Sequence, residues 1–259
     1  MTDLALILDA AREAGELALK ARAGGLKVWS KDGGSPVTDA DLAVDALLKD
    51  RLLTARPDYG WLSEETVDDP ARLTTTRQFV VDPIDGTVAF MKNKPWFAVS
   101  VAVVENGRPV AGVVHAPALN ETYAALAGGG ATLNGAAISP SDTEDLEDAA
   151  MLGDAKMFVH PAWTNPWPAM RVESRNSIAY RVCLVAAGAF DAAVALSPKS
   201  EWDLAAADLI RAEAGACLTD HKGHGFSYNR PIPLVPSLVC ANAALQPLIL
   251  SRVGHIDLP

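Results

Sequence analysis

The sequence of 259 residues predicts an α+β fold, because helices, an antiparallel sheet and a second α/β half follow one another along it. Apolar residues recur at helical spacing over residues 3–22, which predicts an amphipathic helix. Short apolar runs predict four strands, at about 79–82, 96–105, 109–115 and 121–126. The Asn106-Gly107 pair between two of these runs favours a tight hairpin, and therefore antiparallel pairing.

The helical segment ahead of the sheet is interrupted by a glycine-rich loop. Gly24-Gly25 ends the first helix, because glycine is favoured just beyond a helix C-terminus. The following loop, residues 27–36, contains further glycines and is expected to be mobile. It carries Lys31 shortly before a second predicted helix at about 39–53.

The second half begins after a junction with no apolar periodicity. Residues 128–147 combine three consecutive glycines with an acidic patch, so we divide the chain into halves at 1–140 and 141–259. The pattern beyond the junction predicts, in order, a strand near 150–153, an irregular loop at 163–168, a helix at 177–188, a strand at 190–196, a helix from Leu204 to about Ala214 and a helix near 242–252.

Composition limits the classes of function. Hydrophobic residues make up 49% of the chain, enough for a large buried core. The formal net charge of −10 argues against nucleic-acid polymers or anionic membranes as main partners. The sequence has no apolar run of membrane-spanning length, and Met1–Leu4 lacks the pattern of a signal peptide. We therefore expect a cytoplasmic protein.

The most informative motif closes a predicted buried strand. Its apolar run ends in two carboxylates three residues apart, Asp82 and Asp85, followed directly by Gly86-Thr87. Carboxylates supply the oxygen ligands that Mg²⁺ prefers, and Gly86-Thr87 can open a helix whose free N–H groups receive an anion. The alternative is an ordinary turn with a helix cap. The motif alone predicts hard cations held beside a phosphate.

Two further acidic segments strengthen that prediction. Glu64-Glu65 precedes the motif, and Asp203 follows Trp202 at the start of an apolar helix. Taken singly, the glutamates could be a solvated pair and Asp203 could be a helix N-cap. A cap at a helix N-terminus can also face a metal ion, so these alternatives do not exclude the site.

In this order the motifs Glu64-Glu65, Asp82–Thr87 and Trp202–Gly215 resemble those of the inositol monophosphatase superfamily of Mg²⁺-dependent, Li⁺-sensitive phosphatases. The resemblance runs over most of the chain. It implies the layered α-β-α-β-α sandwich of the inositol monophosphatase and fructose-1,6-bisphosphatase type. It also implies an active site at the junction of the two halves.

The resemblance also implies the roles of individual residues. Two or three Mg²⁺ ions are expected on the side chains of Glu64, Asp82, Asp85 and Asp203 and on the Ile84 carbonyl. Asp41, which follows Val37-Thr38 and could equally complete a helix capping box, completes the cluster and is counted as catalytic with Glu64 and Thr87.

The implied mechanism is direct attack by a metal-bound water, without a phospho-enzyme. Glu64 and Thr87 are expected to orient and deprotonate that water, while Gly86 and Thr87 grip the phosphate. Phosphate monoesters are dianions, so clustered cations are needed to neutralise their oxygens. The same cations would offset the mutual repulsion of the carboxylates.

A second phosphatase chemistry is excluded by spacing. Haloacid dehalogenase phosphatases carry Asp-x-Asp-Gly-Thr, in which one aspartate attacks phosphorus and the other protonates the leaving group. Here Asp82 and Asp85 are three residues apart, with a proline between them. This spacing favours metal ligation.

The substrate is less narrowly defined. Residues 197–203 and Phe90–Asn93 resemble segments of the bisphosphate nucleotidases, which favours 3′-phosphoadenosine 5′-phosphate, although Val88-Ala89 departs from that branch. Leu196 stands where inositol monophosphatases place a glutamate, which weakens an inositol substrate. The expected substrate contacts are Gly86, Thr87, Asn176, Ser177 and Lys199, with a helix N-cap as the alternative for Ser177.

Two other interpretations are retained. The first is a phosphatase acting on inositol 1-phosphate or another polyol phosphate, such as histidinol phosphate. The second is a non-catalytic protein that binds a phosphorylated metabolite. In each case the partner is a small phosphorylated metabolite, and a homodimer is also considered.

Overall fold

The computed structural model describes residues 1–31 and 34–258. Gly33, in the loop expected to be mobile, lies outside the described residues. Seven helices are described: α1 Asp3–Gly24, α2 Asp39–Ala55, α3 Thr87–Met91, α4 Ala155–Phe158, α5 Ile178–Ala186, α6 Glu201–Ala214 and α7 Leu245–Val253. A 3₁₀ turn covers Pro70–Thr74.

Seven described strands form the first large sheet. In chain order they are β3 Gly60–Ser63, β4 Arg77–Asp85, β5 Ala98–Glu105, β6 Arg108–Ala116, β7 Glu121–Leu126, β8 Ala131–Leu133 and β9 Ala136–Ala137, and they lie side by side in that order. Two short strands, β1 Val28–Ser30 and β2 Pro36–Thr38, pair as a separate ribbon. The order of the large sheet follows the chain because hairpins connect most of its strands.

The second half contributes a five-stranded sheet and another short ribbon. Its strands are β10 Ala150–Leu152, β11 Arg171–Glu173, β12 Ala192–Ala195, β14 Cys217–Thr219 and β16 Leu238–Ala241, in the spatial order β11-β10-β12-β16-β14. The ribbon pairs β13 Lys199–Ser200 with β15 Leu234–Val235. The first large sheet ends at residue 137 and this one begins at residue 150, and the division at residue 140 stays a prediction.

The layers follow the predicted α-β-α-β-α order. Helices α1 and α2 pack on one face of the seven-stranded sheet, and α5 and α6 pack on its other face. The five-stranded sheet covers the far side of α5 and α6, and α7 closes the stack against β16. Three buried apolar clusters fill the interfaces between these layers.

Strand β4 illustrates how the sequence produces this arrangement. Phe79 and Val81 face the α1/α2 core, whereas Val80 faces the core of α5 and α6. A strand buried on both faces reads as a continuous apolar run, since successive side chains point to opposite faces. The run therefore places the carboxyl end of β4, with its two aspartates, inside the molecule.

The predicted hairpin is confirmed. Asn106 and Gly107 both have positive φ, at 49° and 78°, as a tight two-residue turn requires, and β5 pairs antiparallel with β6 around them. Sequence reasoning missed β3, which has only four residues and pairs parallel to β4. Four residues are too few for a periodic pattern. None of the described helices is both long enough and apolar enough to cross a bilayer.

Candidate active site

Three carboxylates from distant parts of the chain converge at one point. Asp82 and Asp85 end β4, and Asp203 lies in the first turn of α6. One carboxylate oxygen from each lies within 4.8 Å of the others, which suits a shared cation. Asp203 is not the N-cap considered from sequence: Ser200 holds that position, and its N–H donates to Asp203 Oδ2 at 3.0 Å.

Asp85 is held by the second half of the molecule. Its Oδ2 accepts from Ser177 Oγ at 2.6 Å and from the Ala179 N–H at 2.7 Å, and its Oδ1 accepts from the Ile178 N–H at 3.0 Å. The carboxylate thus sits on the N-terminus of α5, where free N–H groups and the helix dipole favour a negative charge. This contact joins the two halves at the site.

Ser177 is therefore reassigned. The side chain is fully buried and caps α5 by accepting from the Tyr180 N–H, while its hydroxyl donates to Asp85. It does not line the cleft, so the direct substrate contact expected from sequence does not fit this position. Gly86 packs against it: a Cβ on Gly86 would approach the Ser177 nitrogen to 3.0 Å, and its φ of 94° also favours glycine.

The electrostatics of the cluster suit cations. Burial raises the pKa of Asp82, Asp85 and Asp203, and neighbouring carboxylates raise all three further, although hydrogen bonds partly oppose the shift at Asp85 and Asp203. Close carboxylates ionise together only when positive charge offsets their repulsion. Every donor is an oxygen, with no Cys or His among them, so the set fits Mg²⁺ better than Zn²⁺.

Glu64 reaches the same cleft from the end of β3. Because β3 and β4 are parallel, their carboxyl ends meet at one edge of the sheet, and the Glu64 N–H bonds the Val81 carbonyl at 3.3 Å. Asp45 on α2 steadies the segment by accepting from Ser63 Oγ at 2.5 Å and Thr66 Oγ1 at 2.6 Å. Glu64 lines the cleft but lies outside the three-aspartate cluster.

Lys31 places a positive charge on both glutamates of the Glu64-Glu65 pair. Its Nζ lies 2.9 Å from Glu64 Oε1 and 2.7 Å from Glu65 Oε1. Burial alone would lower the pKa of Lys31, but the two carboxylates raise it overall. Burial raises the pKa of Glu65 to about 7, with Lys31 opposing that rise. Lys31, directly after β1, thus contacts the site.

Thr87 is paired with Asp41. The hydroxyl lies 3.2 Å from Asp41 Oδ1 and 3.2 Å from the Ile84 carbonyl. Asp41 Oδ2 accepts from the Thr38 N–H at 2.8 Å in the capping box that opens α2. The expected relay from Thr87 to Glu64 is not what this geometry favours, because the bonds of the Thr87 hydroxyl among the described residues go to Asp41 and Ile84.

A cleft of about 670 Å³ connects these groups to solvent. Beside the acidic cluster it is lined by Asn176 and Lys199, two of the expected substrate contacts. Asn176 is exposed. The Lys199 ammonium bonds the carbonyls of Ser197 and Pro198 at 3.0 and 2.9 Å, which holds it at the cleft wall.

Sequence reasoning missed one cation in this cleft. Arg181 of α5 lines it, with its Nε donating to the Arg175 carbonyl at 2.5 Å. Within the described residues its terminal nitrogens have no carboxylate partner, and burial lowers its pKa. An arginine inside an otherwise apolar helix was the available signal, since arginine is seldom buried without a partner. It adds a positive charge to the wall of the cleft.

The model of the inositol monophosphatase family matches residues 2–257. A histidinol-phosphatase of Chlorobaculum parvum is 31% identical, with 98% of this chain and 97% of that protein covered. A histidinol-phosphatase of Mycobacterium tuberculosis is 35% identical, covering 97% and 98%. A 3′(2′),5′-bisphosphate nucleotidase CysQ of Aggregatibacter actinomycetemcomitans is 32% identical, covering 86% of each.

Solved structures of similar proteins share this fold. An IMPase of Thermotoga maritima superposes with a TM-score of 0.85 at 29% identity, covering 98% of this chain and 97% of that one. The SuhB protein of Bartonella henselae superposes with a TM-score of 0.82 at 26% identity, covering 97% and 98%. These likenesses confirm the predicted sandwich. The chain therefore belongs to the inositol monophosphatase family of phosphoric monoester hydrolases.

Proposed function

We propose that this protein is an Mg²⁺-dependent phosphatase that acts on a small phosphomonoester carrying a second anionic group, with 3′-phosphoadenosine 5′-phosphate as the first candidate. The observation that carries the metal-dependent chemistry is the convergence of Asp82, Asp85 and Asp203 within 4.8 Å at the end of a cleft. Bound cations would be held by these three carboxylates, by Glu64 and by the Ile84 carbonyl. They would neutralise phosphate oxygens and lower the pKa of a bound water.

The remaining residues act on the water and the ester. A Thr87 hydroxyl that donates to Asp41 turns its lone pairs toward the cleft, where it can accept a hydrogen bond from the attacking water. Asp41 then receives the proton that Thr87 passes on. Glu64 orients the water from the end of β3, and Gly86 lines the cleft beside Thr87.

Arg181 supports the choice of a doubly anionic substrate. Its guanidinium lines the cleft in α5 without a carboxylate partner among the described residues, and Lys199 adds a second cation to the same wall. A second phosphate on the substrate would pair with Arg181 in two parallel hydrogen bonds. Inositol 1-phosphate offers only hydroxyls to this group.

Histidinol phosphate is the second candidate. Two relatives named histidinol-phosphatase match over nearly their whole length. Asp154, at the N-cap of α4, also lines the cleft and could pair with an amino group. Arg181 opposes this assignment, because it would repel a cationic substrate.

A panel of four esters separates the candidates. Phosphate release would be measured with and without Mg²⁺ for 3′-phosphoadenosine 5′-phosphate, 3′-AMP, histidinol phosphate and inositol 1-phosphate. We expect the highest kcat/KM on the first, because 3′-AMP differs from it only by the second phosphate. Equal kcat/KM on 3′-phosphoadenosine 5′-phosphate and 3′-AMP would contradict the proposed preference for a second anionic group. If none of the four esters released phosphate in an Mg²⁺-dependent way, the proposed phosphatase function would be wrong.

A further inference from the structure

A polar network outside the cleft joins the two halves of the molecule. Arg72 lies in the 3₁₀ turn between β3 and β4, and its side chain is 1% exposed. The guanidinium bonds the nearby Asp68 and also donates across the halves, to Asn229 Oδ1 at 2.7 Å and to the Arg230 carbonyl at 3.0 Å. In return the Asn229 amide donates to the Arg72 carbonyl at 3.2 Å.

The same two residues of the second half hold the first turn of α6. Glu201 opens this helix and is fully buried. Its carboxylate accepts from the N–H of Asn229 at 2.6 Å, from the N–H of Arg230 at 3.2 Å and from Arg230 Nε at 3.0 Å. Asp203 stands two residues later in that turn. These bonds therefore link residues 229–230 to the helix turn that carries Asp203.

We propose that Arg72 is a positioning residue for the metal centre: through Asn229 and Arg230 it sets where Asp203 stands relative to Asp82 and Asp85. The inference rests on the proposed function, because it concerns the same centre. In the chain, Arg72 lies between two expected metal ligands, Glu64 and Asp82, and it does not line the cleft. A planar guanidinium suits this role because its donors point in fixed directions.

Mutual repulsion of the cluster carboxylates is the force that this polar network would oppose. When they are ionised, Asp203, Asp82 and Asp85 repel one another at this short separation. The first turn of α6 is the part of the cluster that belongs to the second half, so it can relax outward if its anchor is released. Buried donors and acceptors in the network make such relaxation costly while every partner is present.

The sharpest test is Asn229→Gly. Asn229 has a φ of 60°, which glycine adopts readily, so the backbone N–H that bonds Glu201 stays in place. The substitution removes only the side-chain link to Arg72. Asn120→Gly is the matched control, because Asn120 is an exposed residue with a φ of 55° in the turn between β6 and β7, and it does not line the cleft. Arg72→Met and Arg72→Lys complete the set.

For each variant, the affinity for Mn²⁺ alone would be measured by electron paramagnetic resonance. The Mg²⁺ concentration that gives half-maximal activity would be measured in parallel. We expect Asn229→Gly and Arg72→Met to weaken Mn²⁺ binding about 10-fold, as loss of residues that orient metal ligands typically does, with kcat at saturating Mg²⁺ within about twofold. Asn120→Gly should bind Mn²⁺ as the unchanged protein does. The Mn²⁺ affinity of Arg72→Lys should lie between those of Arg72→Met and the unchanged protein, since lysine keeps the positive charge but lacks the planar guanidinium.

A role limited to stability predicts a different pattern. Unfolding temperatures would fall while the folded variants bound Mn²⁺ normally, and that result would overturn the inference. Should Arg72→Met fail to fold, the Mn²⁺ affinity of Asn229→Gly alone tests the positioning role of Arg72. If the unchanged protein hydrolyses none of the four esters, the proposed function is wrong, but comparison of Mn²⁺ affinities between the variants and the unchanged protein still tests that role. Absence of Mn²⁺ binding by the unchanged protein would overturn both.

Discussion

The Thr87 hydroxyl lies 3.2 Å from Asp41 Oδ1, and this contact joins the first turn of α3 to the first turn of α2. Asp41 is 1% exposed and its second oxygen is occupied by Thr38. Burial raises the pKa of Asp41, with the Thr38 hydrogen bonds opposing the rise. A carboxylate with a raised pKa is a better proton acceptor, which supports the proposal that this pair takes a proton from the attacking water.

Thr87→Ala is expected to lower kcat by about 10² to 10⁴ with little change in KM, because it removes a proton path needed mainly in the transition state. Asp41→Asn should act similarly, and the double variant should be no slower than the slower single one. Thr87→Ser is the control and should retain most activity. Steady-state kinetics at saturating Mg²⁺ measures each value, and wild-type turnover by Thr87→Ala would contradict the assignment.

Asp203→Asn should shift the Mg²⁺ dependence to higher concentration, because it removes a charge from the cluster. The midpoint of activity against Mg²⁺ is expected to rise at least about 10-fold. Asp9→Asn, at an exposed position on α1, is the matched control and should leave the midpoint unchanged. An unchanged midpoint for Asp203→Asn would remove that residue from the metal site.

The metal-free protein should lose stability as the pH rises. The raised pKa values of Asp82, Asp85 and Asp203, and that of Glu65 at about 7, mean that the folded state keeps protons that the unfolded chain has released. The stability is therefore fully present below about pH 4, the ordinary carboxyl range, and declines as the pH rises through the raised values.

Thermal unfolding in chelator between about pH 5 and about pH 8 measures this linkage. Saturating Mg²⁺ should raise the unfolding temperature most at the alkaline end, because there the cation displaces the fewest protons. Asp82→Asn should be more stable than the unchanged protein at that end in chelator, since one buried charge is gone. A midpoint that rises with pH in chelator would contradict the prediction.

Arg181→Met should remove the preference for a second anionic group. We expect kcat/KM on 3′-phosphoadenosine 5′-phosphate to fall about 10- to 100-fold, the worth of a hydrogen bond to a charged group, while 3′-AMP is little affected. Arg171→Met, an exposed position of the same half outside the cleft, is the control. An equal fall on both esters would show that Arg181 supports the site in general.

Hydrolysis should proceed without a phospho-aspartate. Asp85 has both oxygens occupied by α5, and Asp82 is 1% exposed within the metal cluster, so neither is free to attack phosphorus. A phosphate ester made chiral with oxygen isotopes should therefore react with inversion at phosphorus. Retention, or a phosphorylated Asp82 trapped by acid quench, would restore a covalent mechanism.

Local features of this protein are determined by the sequence alone. The periodicity of α1, the positive φ values at Asn106-Gly107 and the capping box of Thr38 and Asp41 each depend on residues within a few positions of one another. The strand-end motif Asp82–Thr87 is equally local. Neighbouring residues set backbone dihedrals and caps, so such features can be read before the fold is known.

Only the tertiary structure decided which distant residues meet. Parallel pairing of β3 with β4 brings Glu64 to the site, and packing of α5 gives Ser177 to Asp85 as a partner instead of to the substrate. The contacts of Arg72 with Asn229 span 157 residues. These pairings come from the packing of whole layers, and since many partners satisfy the same local pattern, their identity emerges only when the layers are assembled.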